Sequence, residues 1–266
     1  MRSLSAAVLI PAVLLDVWAG GIWFKILVSL IAVLIAGEWT VMAHGRSSAQ
    51  FALHAAAALC GALLPPEVGI WGAAMAIGLL WIASALLTGA QAGPRSAWSY
   101  LGVPYSGFPA MALVLLRADP QYGVVAIIWI LAIVWAADIF AYFAGRIIGG
   151  PKLAPVISPK KTWAGLGGAV VGSAAASALV AAIAGLPAVA VVTLLAGGLA
   201  VVEQAGDLFK SALKRHFGVK DSGDLIPGHG GVIDRVDGLV AVAAAAAIIG
   251  VMRGGMESTG PGLLLW

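Results

Sequence analysis

The sequence predicts an all-α membrane protein with about nine transmembrane helices and a polar site at one membrane surface. Three observations predict this class. The 266 residues are 61% hydrophobic and only 10% charged, whereas about a quarter of the residues in a soluble domain are charged. Most of the chain divides into apolar segments of about the 20 residues that a membrane helix needs. Ten of the 27 acidic and basic residues lie in a single stretch, residues 206–238.

Glycine and proline punctuate the apolar segments, as at Gly20 and Gly21 or at Pro65 and Pro66. Nine segments are predicted to cross the membrane: residues 4–19, 22–43, 51–64, 68–88, 98–116, 124–148, 166–183, 188–203 and 239–251. The single cysteine, Cys60, excludes a disulfide within the chain.

The distribution of Lys and Arg predicts the orientation. With nine spans, twelve of the 15 basic residues lie on the side of residues 206–238, and only Lys25, Arg117 and Arg253 lie on the other. Because Lys and Arg are enriched in cytoplasmic loops, the charged stretch is expected to face the cytoplasm. The basic residues are spread over several loops, so the net charge of +3 does not indicate a nucleic-acid partner.

The charged stretch is entered by a helix with one polar face. Its members recur at spacings of three and four residues: Glu203, Asp207, Lys210, Ser211 and Lys214. A solvated helix end with salt bridges would give the same pattern. This face begins inside an apolar run, however, where charged residues usually serve a function.

A glycine-rich loop follows this helix, and loops of this kind can turn their N–H groups toward phosphate oxygens. Gly230 and Gly231 belong to it, next to His229. We expect His229 to orient phosphates or the loop itself. A histidine that only forms hydrogen bonds within the loop is the alternative.

Asp234 and Asp237 lie three residues apart at the start of the next helix, with Arg235 between them. Two carboxylates on one helical face can hold Mg²⁺, which prefers oxygen ligands. Acidic residues are also favoured at a helix N-terminus by the helix dipole. That alternative explains neither Arg235 nor the other acidic residues of the stretch.

A second polar segment runs from Asp138 to Gly165. Asp138 and Tyr142 share a helix face within an apolar run, where a carboxylate is costly without a role or a partner. The segment 158–163 then carries two bases, Lys160 and Lys161, between hydroxyl residues, which suits a phosphate or an anionic headgroup. A basic loop that only sets the topology is the alternative. We expect the site to form where the two polar segments meet.

Both polar segments resemble one known family. Three runs of the charged stretch carry the resemblance: Ser211-Ala-Leu-Lys214-Arg215, Lys220-Asp221-Ser-Gly-Asp224-Leu-Ile-Pro227-Gly-His229-Gly-Gly231, and Asp234-Arg235-Val-Asp237. Two further runs extend it: Asp138-Ile-Phe-Ala-Tyr142-Phe-Ala-Gly145 and Ser158-Pro-Lys-Lys161-Thr-Trp163. Together they resemble the signature of phosphatidate cytidylyltransferases, the CDP-diacylglycerol synthases. The chain departs from the pattern at Ala164, where the family usually has Glu.

The resemblance implies an enzyme that converts CTP and phosphatidate to CDP-diacylglycerol and pyrophosphate in phospholipid synthesis. It implies N-terminal membrane helices over residues 1–95 and a catalytic membrane region over residues 96–266. It further implies a homodimer in the lipid bilayer, in a bacterial inner membrane with the site facing the cytoplasm. The implied cofactor is Mg²⁺, with a monovalent cation such as K⁺ as a second candidate ion.

The resemblance also implies roles for individual residues. The predicted metal ligands are Asp207 and Asp234, with Asp138 and Asp237 as further candidates. The predicted catalytic residues are Lys214, Arg215, Lys220, Asp234, Arg235 and Asp237, the basic ones neutralising phosphates. The predicted substrate-binding residues are Tyr142, Ser158, Lys160, Lys161, Thr162, Ser211, Asp221, His229, Gly230 and Gly231.

Two other functions fit part of the sequence. A CTP-dependent lipid alcohol kinase, of the polyprenol or phytol type, would use the same nucleotide and metal but would release CDP. A transporter would instead scatter polar residues across several spans near the bilayer midplane. In this sequence only Asp16, Glu38 and Asp138 lie deep in apolar segments. For Glu38 the sequence leaves two roles open: a pairing with Lys25, or a part in shaping the entry of the lipid.

Overall fold

The structure, a computed structural model, describes residues 2–89, 96–223 and 230–266. It contains eleven helices in these ranges: α1 Arg2–Ala19, α2 Gly21–His44, α3 Ser48–Leu63, α4 Pro65–Gly89, α5 Ser96–Ser99, α6 Gly102–Ala118, α7 Gly123–Ile147, α8 Trp163–Ile183, α9 Val189–Phe217, α10 Ile233–Gly254 and α11 Thr259–Leu264. Two short strands, β1 Lys152–Ala154 and β2 Ser158–Thr162, lie between α7 and α8. The predicted all-α membrane class is confirmed.

The predicted count of nine spans is not confirmed. Six of the described helices are long and apolar enough to cross a membrane: α2, α4, α7, α8, α9 and α10. The other predicted segments coincide with the shorter helices α1, α3 and α6, and α5 takes up the start of segment 98–116. Hydropathy therefore located these helices correctly. It did not distinguish the six that are long enough to cross a membrane from the shorter helices α1, α3 and α6.

The two helices of the charged stretch extend well beyond their apolar spans. α9 continues from residue 203 to Phe217, and α10 begins at Ile233, before the predicted residue 239. Both extensions are polar on one face, so their mean hydropathy is too low for them to be recognised as parts of the membrane spans. α9 ends where Gly218 takes a left-handed conformation, with φ of 73°, and its N–H group bonds to the carbonyl groups of Lys214 and Arg215.

The segment between α7 and α8 is an antiparallel hairpin, which the sequence analysis did not predict. Pro151, Pro155 and Pro159 interrupt it, so it lacks the regular alternation that marks a strand. The hairpin leads directly into α8, whose first turn is capped by Thr162. The Gly165 N–H group donates to the Thr162 hydroxyl oxygen over 3.0 Å.

α7 is the most buried of the six long apolar helices and packs closely on α8. The indole N–H of Trp129 donates to the Ser177 hydroxyl over 2.7 Å, and both side chains are buried. Gly168 and Gly172, which have the GxxxG spacing, face Phe140 and Ala144 of α7. Small residues at such spacing let helix backbones approach each other in membranes.

Replacing Gly168 by Ala is expected to lower the thermal unfolding midpoint of the purified protein in detergent. The new methyl group would lie 2.6 Å from the Phe140 carbonyl oxygen, and overpacking of this kind costs about 1–3 kcal/mol. Gly167→Ala is the matched control, because a methyl group at the neighbouring position meets nothing within 4 Å. Equal midpoints for the two variants would contradict the close contact of α7 and α8.

Candidate active site

Three aspartates converge on one lysine where α9 and α10 cross. The Lys210 Nζ atom lies 2.9 Å from Asp207 Oδ1, 2.6 Å from Asp237 Oδ2 and 3.7 Å from Asp234 Oδ1. Asp207 and Lys210 are three residues apart on α9, and Asp234 and Asp237 are three apart on α10. Each pair therefore lies on the helix face that is turned toward the crossing. Gly206 lets the helices approach, since a methyl group there would lie 3.0 Å from the Asp237 carbonyl oxygen.

A second lysine completes the pairing of Asp234. The Lys214 Nζ atom lies 2.5 Å from Asp234 Oδ1. The other carboxylate oxygen, Oδ2, accepts hydrogen bonds from the Ser222 N–H at 3.1 Å, the Ser222 hydroxyl at 3.0 Å and the Gly231 N–H at 3.4 Å. Asp234 is therefore held between α9 and the segment between α9 and α10, through Ser222 and Gly231.

The second polar segment reaches the same cluster, as predicted. The Lys161 Nζ atom on β2 lies 2.7 Å from Asp207 Oδ2 and 2.6 Å from Gln204 Oε1. The six side chains that these ion pairs join are called the charge cluster below: Lys161, Asp207, Lys210, Lys214, Asp234 and Asp237. Because it links β2, α9 and α10, residues from both polar segments form one site.

An open cavity of about 500 Å³ lies beside the charge cluster. Its lining includes predicted residues from both segments: Asp138, Tyr142, Lys160, Lys161, Thr162 and Asp207. Asp138 and Tyr142 are exposed on one face of α7, as their spacing predicts, and the Tyr142 hydroxyl accepts a hydrogen bond from Arg146 over 2.8 Å. The cavity thus offers both acidic and basic groups to a polar ligand.

Other predicted site residues lie around this centre. Ser158 begins β2, paired with Ala154, and Ser211 is half-buried on α9. Arg215, Lys220 and Asp221 are exposed at the end of α9 and just after it. Arg235 is exposed on the first turn of α10, and Gly230 adopts a left-handed φ of 77°. His229 lies outside the described residues, as does the rest of segment 224–229.

Three buried residues that contact Asp or Lys side chains of the charge cluster were not among the predicted site residues. Lys210 is 8% exposed and Ser222 is 2% exposed. The amide oxygen of Gln204 accepts a hydrogen bond from the Lys161 ammonium. The sequence places Lys210 on the polar face of its helix, three residues after Asp207. Its burial among carboxylates depends on α10, which is far away in sequence.

The carboxylates of the charge cluster are oxygen donors of the kind that Mg²⁺ prefers. One of their oxygens, Asp237 Oδ2, is buried and accepts no hydrogen bond of good geometry, although the Lys210 ammonium lies 2.6 Å away. Among the described residues, no group of three His, Cys, Asp or Glu side chains is arranged to hold a metal ion. A cation at this point would therefore have to share the carboxylates with Lys210 or displace it.

Comparisons with known proteins agree with the predicted resemblance. The model of the Cytidylyltransferase family matches residues 1–252, which includes the N-terminal helices. The phosphatidate cytidylyltransferase of Brucella abortus biovar 1 (strain 9-941) is 42% identical over 253 residues, covering 94% of this chain and 93% of that protein. The phosphatidate cytidylyltransferase of Bacillus subtilis (strain 168) is 40% identical over 143 residues, or 53% of each chain. The chain belongs to the cytidylyltransferase family.

Proposed function

We propose that this protein joins CTP to phosphatidate, giving CDP-diacylglycerol and pyrophosphate. Family membership and the names of the relatives support this activity. The observation that carries it is the charge cluster, in which two segments that resemble the family signature meet through the Lys161–Asp207 contact of 2.7 Å. The alternative lipid alcohol kinase and transporter functions have no comparable support.

The reaction needs little covalent chemistry from the protein. A phosphate oxygen of phosphatidate attacks the α-phosphorus of CTP, the new P–O bond forms, and the bond to the β-phosphate breaks with its electron pair leaving on pyrophosphate. The attacking phosphate is largely ionised near neutral pH, so a general base is not required. Catalysis then consists mainly of positioning and of charge neutralisation.

The lysines of the charge cluster supply that neutralisation. Lys161 and Lys214 are each paired with an aspartate at the edge of the cluster, and Lys160 is exposed on the cavity wall. They can exchange a carboxylate partner for a phosphate oxygen as the substrates enter. The exposed Arg215, Lys220 and Arg235 surround this centre and add positive charge for the two polyanions.

Mg²⁺ is the cofactor that the family resemblance implies, and the carboxylates of the cluster are its kind of ligand once Lys210 shares or releases them. Asp207, Asp234 and Asp237 would hold the ion, with Asp138 at the cavity wall as a further candidate. When bound, Mg²⁺ neutralises phosphate charge and helps pyrophosphate to leave. A monovalent cation such as K⁺ is the second candidate ion for the same carboxylates.

The lipid substrate has an apolar route to the site. A cavity of about 220 Å³ lies between α1, α2, α6, α7 and α10, and its lining is apolar except for a few residues that include Asp138 and Arg235. Part of one phosphatidate acyl chain can lie among these apolar residues, with the phosphate near Arg235. Under the nine-span topology, the excess of basic residues on this side supports a site that faces the cytoplasm of a bacterial inner membrane. A homodimer is also proposed, from the family resemblance alone.

The test is product analysis with purified protein in detergent, supplied with CTP, Mg²⁺ and phosphatidate. We expect pyrophosphate and CDP-diacylglycerol in equal amounts, and no product without the lipid. Release of CDP with a polyprenol or phytol acceptor would instead establish the kinase. Absence of both products from folded protein would contradict the proposed function.

A further inference from the structure

Glu38, in the N-terminal helix α2, binds the start of α10. Its side chain is 7% exposed. Glu38 Oε1 accepts the Val232 N–H at 2.6 Å, and Oε2 accepts the Ile233 N–H at 2.9 Å. The first N–H groups of a helix have no acceptor within the helix. Val232, at the cap position of α10, has no capping side chain, so a carboxylate 194 residues away provides the cap.

The same carboxylate is linked to Asp234 through one side chain. The Ser222 hydroxyl lies 2.9 Å from Glu38 Oε2 and 3.0 Å from Asp234 Oδ2. A hydroxyl has a single hydrogen, which Ser222 can donate to either carboxylate. Asp234 directly follows Ile233, whose N–H group Glu38 binds, so the backbone and the hydroxyl connect Glu38 to the charge cluster by two routes.

The Glu38 carboxylate lies close against the backbone of Gly223 and Gly231, and the residue also lines a cavity of about 530 Å³ beside α2. A methyl group on Gly231 would lie 2.6 Å from Glu38 Oε1, and one on Gly223 would lie 3.0 Å from the same atom. The sequence left open a pairing of Glu38 with Lys25. Thirteen residues of helix separate them by about 20 Å, and the Glu38 carboxylate is occupied by α10 and Ser222.

We propose that Glu38 is a positioning residue for the reaction: it fixes the first turn of α10 and thereby the carboxylate of Asp234. This inference rests on the proposed function of the charge cluster. It gives the N-terminal helices a specific part in catalysis, because the reactive geometry of α10 depends on α2. Glu38 contacts neither the described cavity beside the cluster nor Lys210, so its influence passes through Ser222 and the α10 backbone.

The test compares Glu38→Gln with the wild-type protein. Glutamine has nearly the same shape, but its amide group can accept at only one atom, so one of the two α10 N–H groups would face another donor. Displacing a catalytic group by about 1 Å can cost about 100-fold in rate. We expect kcat per folded molecule to fall by about 100-fold while the KM for CTP stays within about threefold, the signature of lost positioning.

Two controls separate positioning from a general loss of stability. Ser84→Ala removes buried hydrogen bonds to Gln50 and His54 within α3 and α4, far from α10 in the chain. Glu67→Gln removes an exposed carboxylate from the first turn of α4. Both should keep kcat per folded molecule. An equal loss of kcat in Ser84→Ala would overturn the inference, since any disturbance of the N-terminal helices would then suffice.

A second variant covers the case in which Glu38→Gln does not fold. Ser222→Ala removes the bridging hydroxyl but leaves the Ser222 N–H on Asp234, and it should lower kcat by about tenfold, the loss that corresponds to 1.4 kcal/mol. An unchanged kcat would overturn the link through Ser222. If both variants fold, the double variant should lose less than the product of the single losses, because the two residues act together.

Hydrogen exchange gives a readout that does not depend on activity. Peptides that cover the start of α10 should exchange faster in Glu38→Gln than in the wild-type protein, and peptides from α8 should not change. If the wild-type protein forms no product but this exchange increases, the proposed function fails and the anchoring of α10 stands. If the wild-type protein is active and neither kcat nor exchange changes in Glu38→Gln, the positioning role is overturned.

Discussion

Replacing Asp234 by Asn is expected to lower the rate of CDP-diacylglycerol formation by at least about 1,000-fold, equivalent to about 4 kcal/mol. Asp234 receives two kinds of partner: the ammonium of Lys214 at 2.5 Å on one oxygen, and hydrogen bonds from Ser222 and Gly231 on the other. An asparagine at this position has an NH₂ group in place of one carboxylate oxygen. That NH₂ group would face either the Lys214 ammonium or the Ser222 and Gly231 donors, and the hydrogen bonds on that side would be lost. The variant also loses one of the carboxylates proposed to hold Mg²⁺.

The measurement is pyrophosphate release at saturating CTP and phosphatidate, normalised to folded protein. Glu257→Gln is a suitable control, because Glu257 is an exposed carboxylate between α10 and α11. It should retain the wild-type rate. Turnover of Asp234→Asn within about tenfold of wild type, a loss under about 1.4 kcal/mol, would contradict the assignment of Asp234 to the metal and phosphate centre.

Replacing Lys210 by Met is expected to destabilise the protein by about 3–5 kcal/mol, the cost of removing one partner from a buried ion pair. Methionine has a similar length but no charge, so Asp207, Asp234 and Asp237 would repel one another without their common cation. Mg²⁺ should raise the thermal midpoint of this variant more than that of the wild-type protein, because the dication can take the place of the ammonium among the carboxylates.

Thermal unfolding in detergent, with and without Mg²⁺, measures both effects. Lys152→Met is the matched control, since Lys152 is an exposed lysine in β1, and its midpoint should change little. Lys210→Arg keeps the positive charge and should recover most of the stability. A Lys210→Met variant that unfolds at the wild-type temperature would show that the three carboxylates do not depend on this lysine.

Much of this architecture follows from local patterns in the sequence. Apolar length located the helices, and the spacing of Asp207, Lys210 and Lys214 correctly placed them on one face of α9. The prediction that residues 138–165 join the charged stretch is confirmed by the contact between Lys161 and Asp207. These features depend on helical periodicity and on the cost of charge in an apolar segment, which a single sequence expresses directly.

The remaining features depend on contacts between distant residues. The predicted count of nine membrane spans is not confirmed, and neither the hairpin over 152–162 nor the capping of α10 by Glu38 was predicted. Nothing near Glu38 in the sequence distinguishes a carboxylate that pairs with Lys25 from one that caps α10. The burial of Lys210 could not be predicted either, because its neighbours Asp234 and Asp237 belong to another helix.

The ion pairs of the charge cluster have a consequence for the order in which ligands bind. Three carboxylates face three ammonium groups, so the cluster is electroneutral when all six carry their ordinary charge. A free dication gains little electrostatic energy from such a centre, since it must compete with cations that are covalently part of the protein. A dication that arrives already complexed with the nucleotide brings its own compensating phosphates, and these can occupy the lysines that it releases. The cluster therefore favours the metal–nucleotide complex over the bare ion.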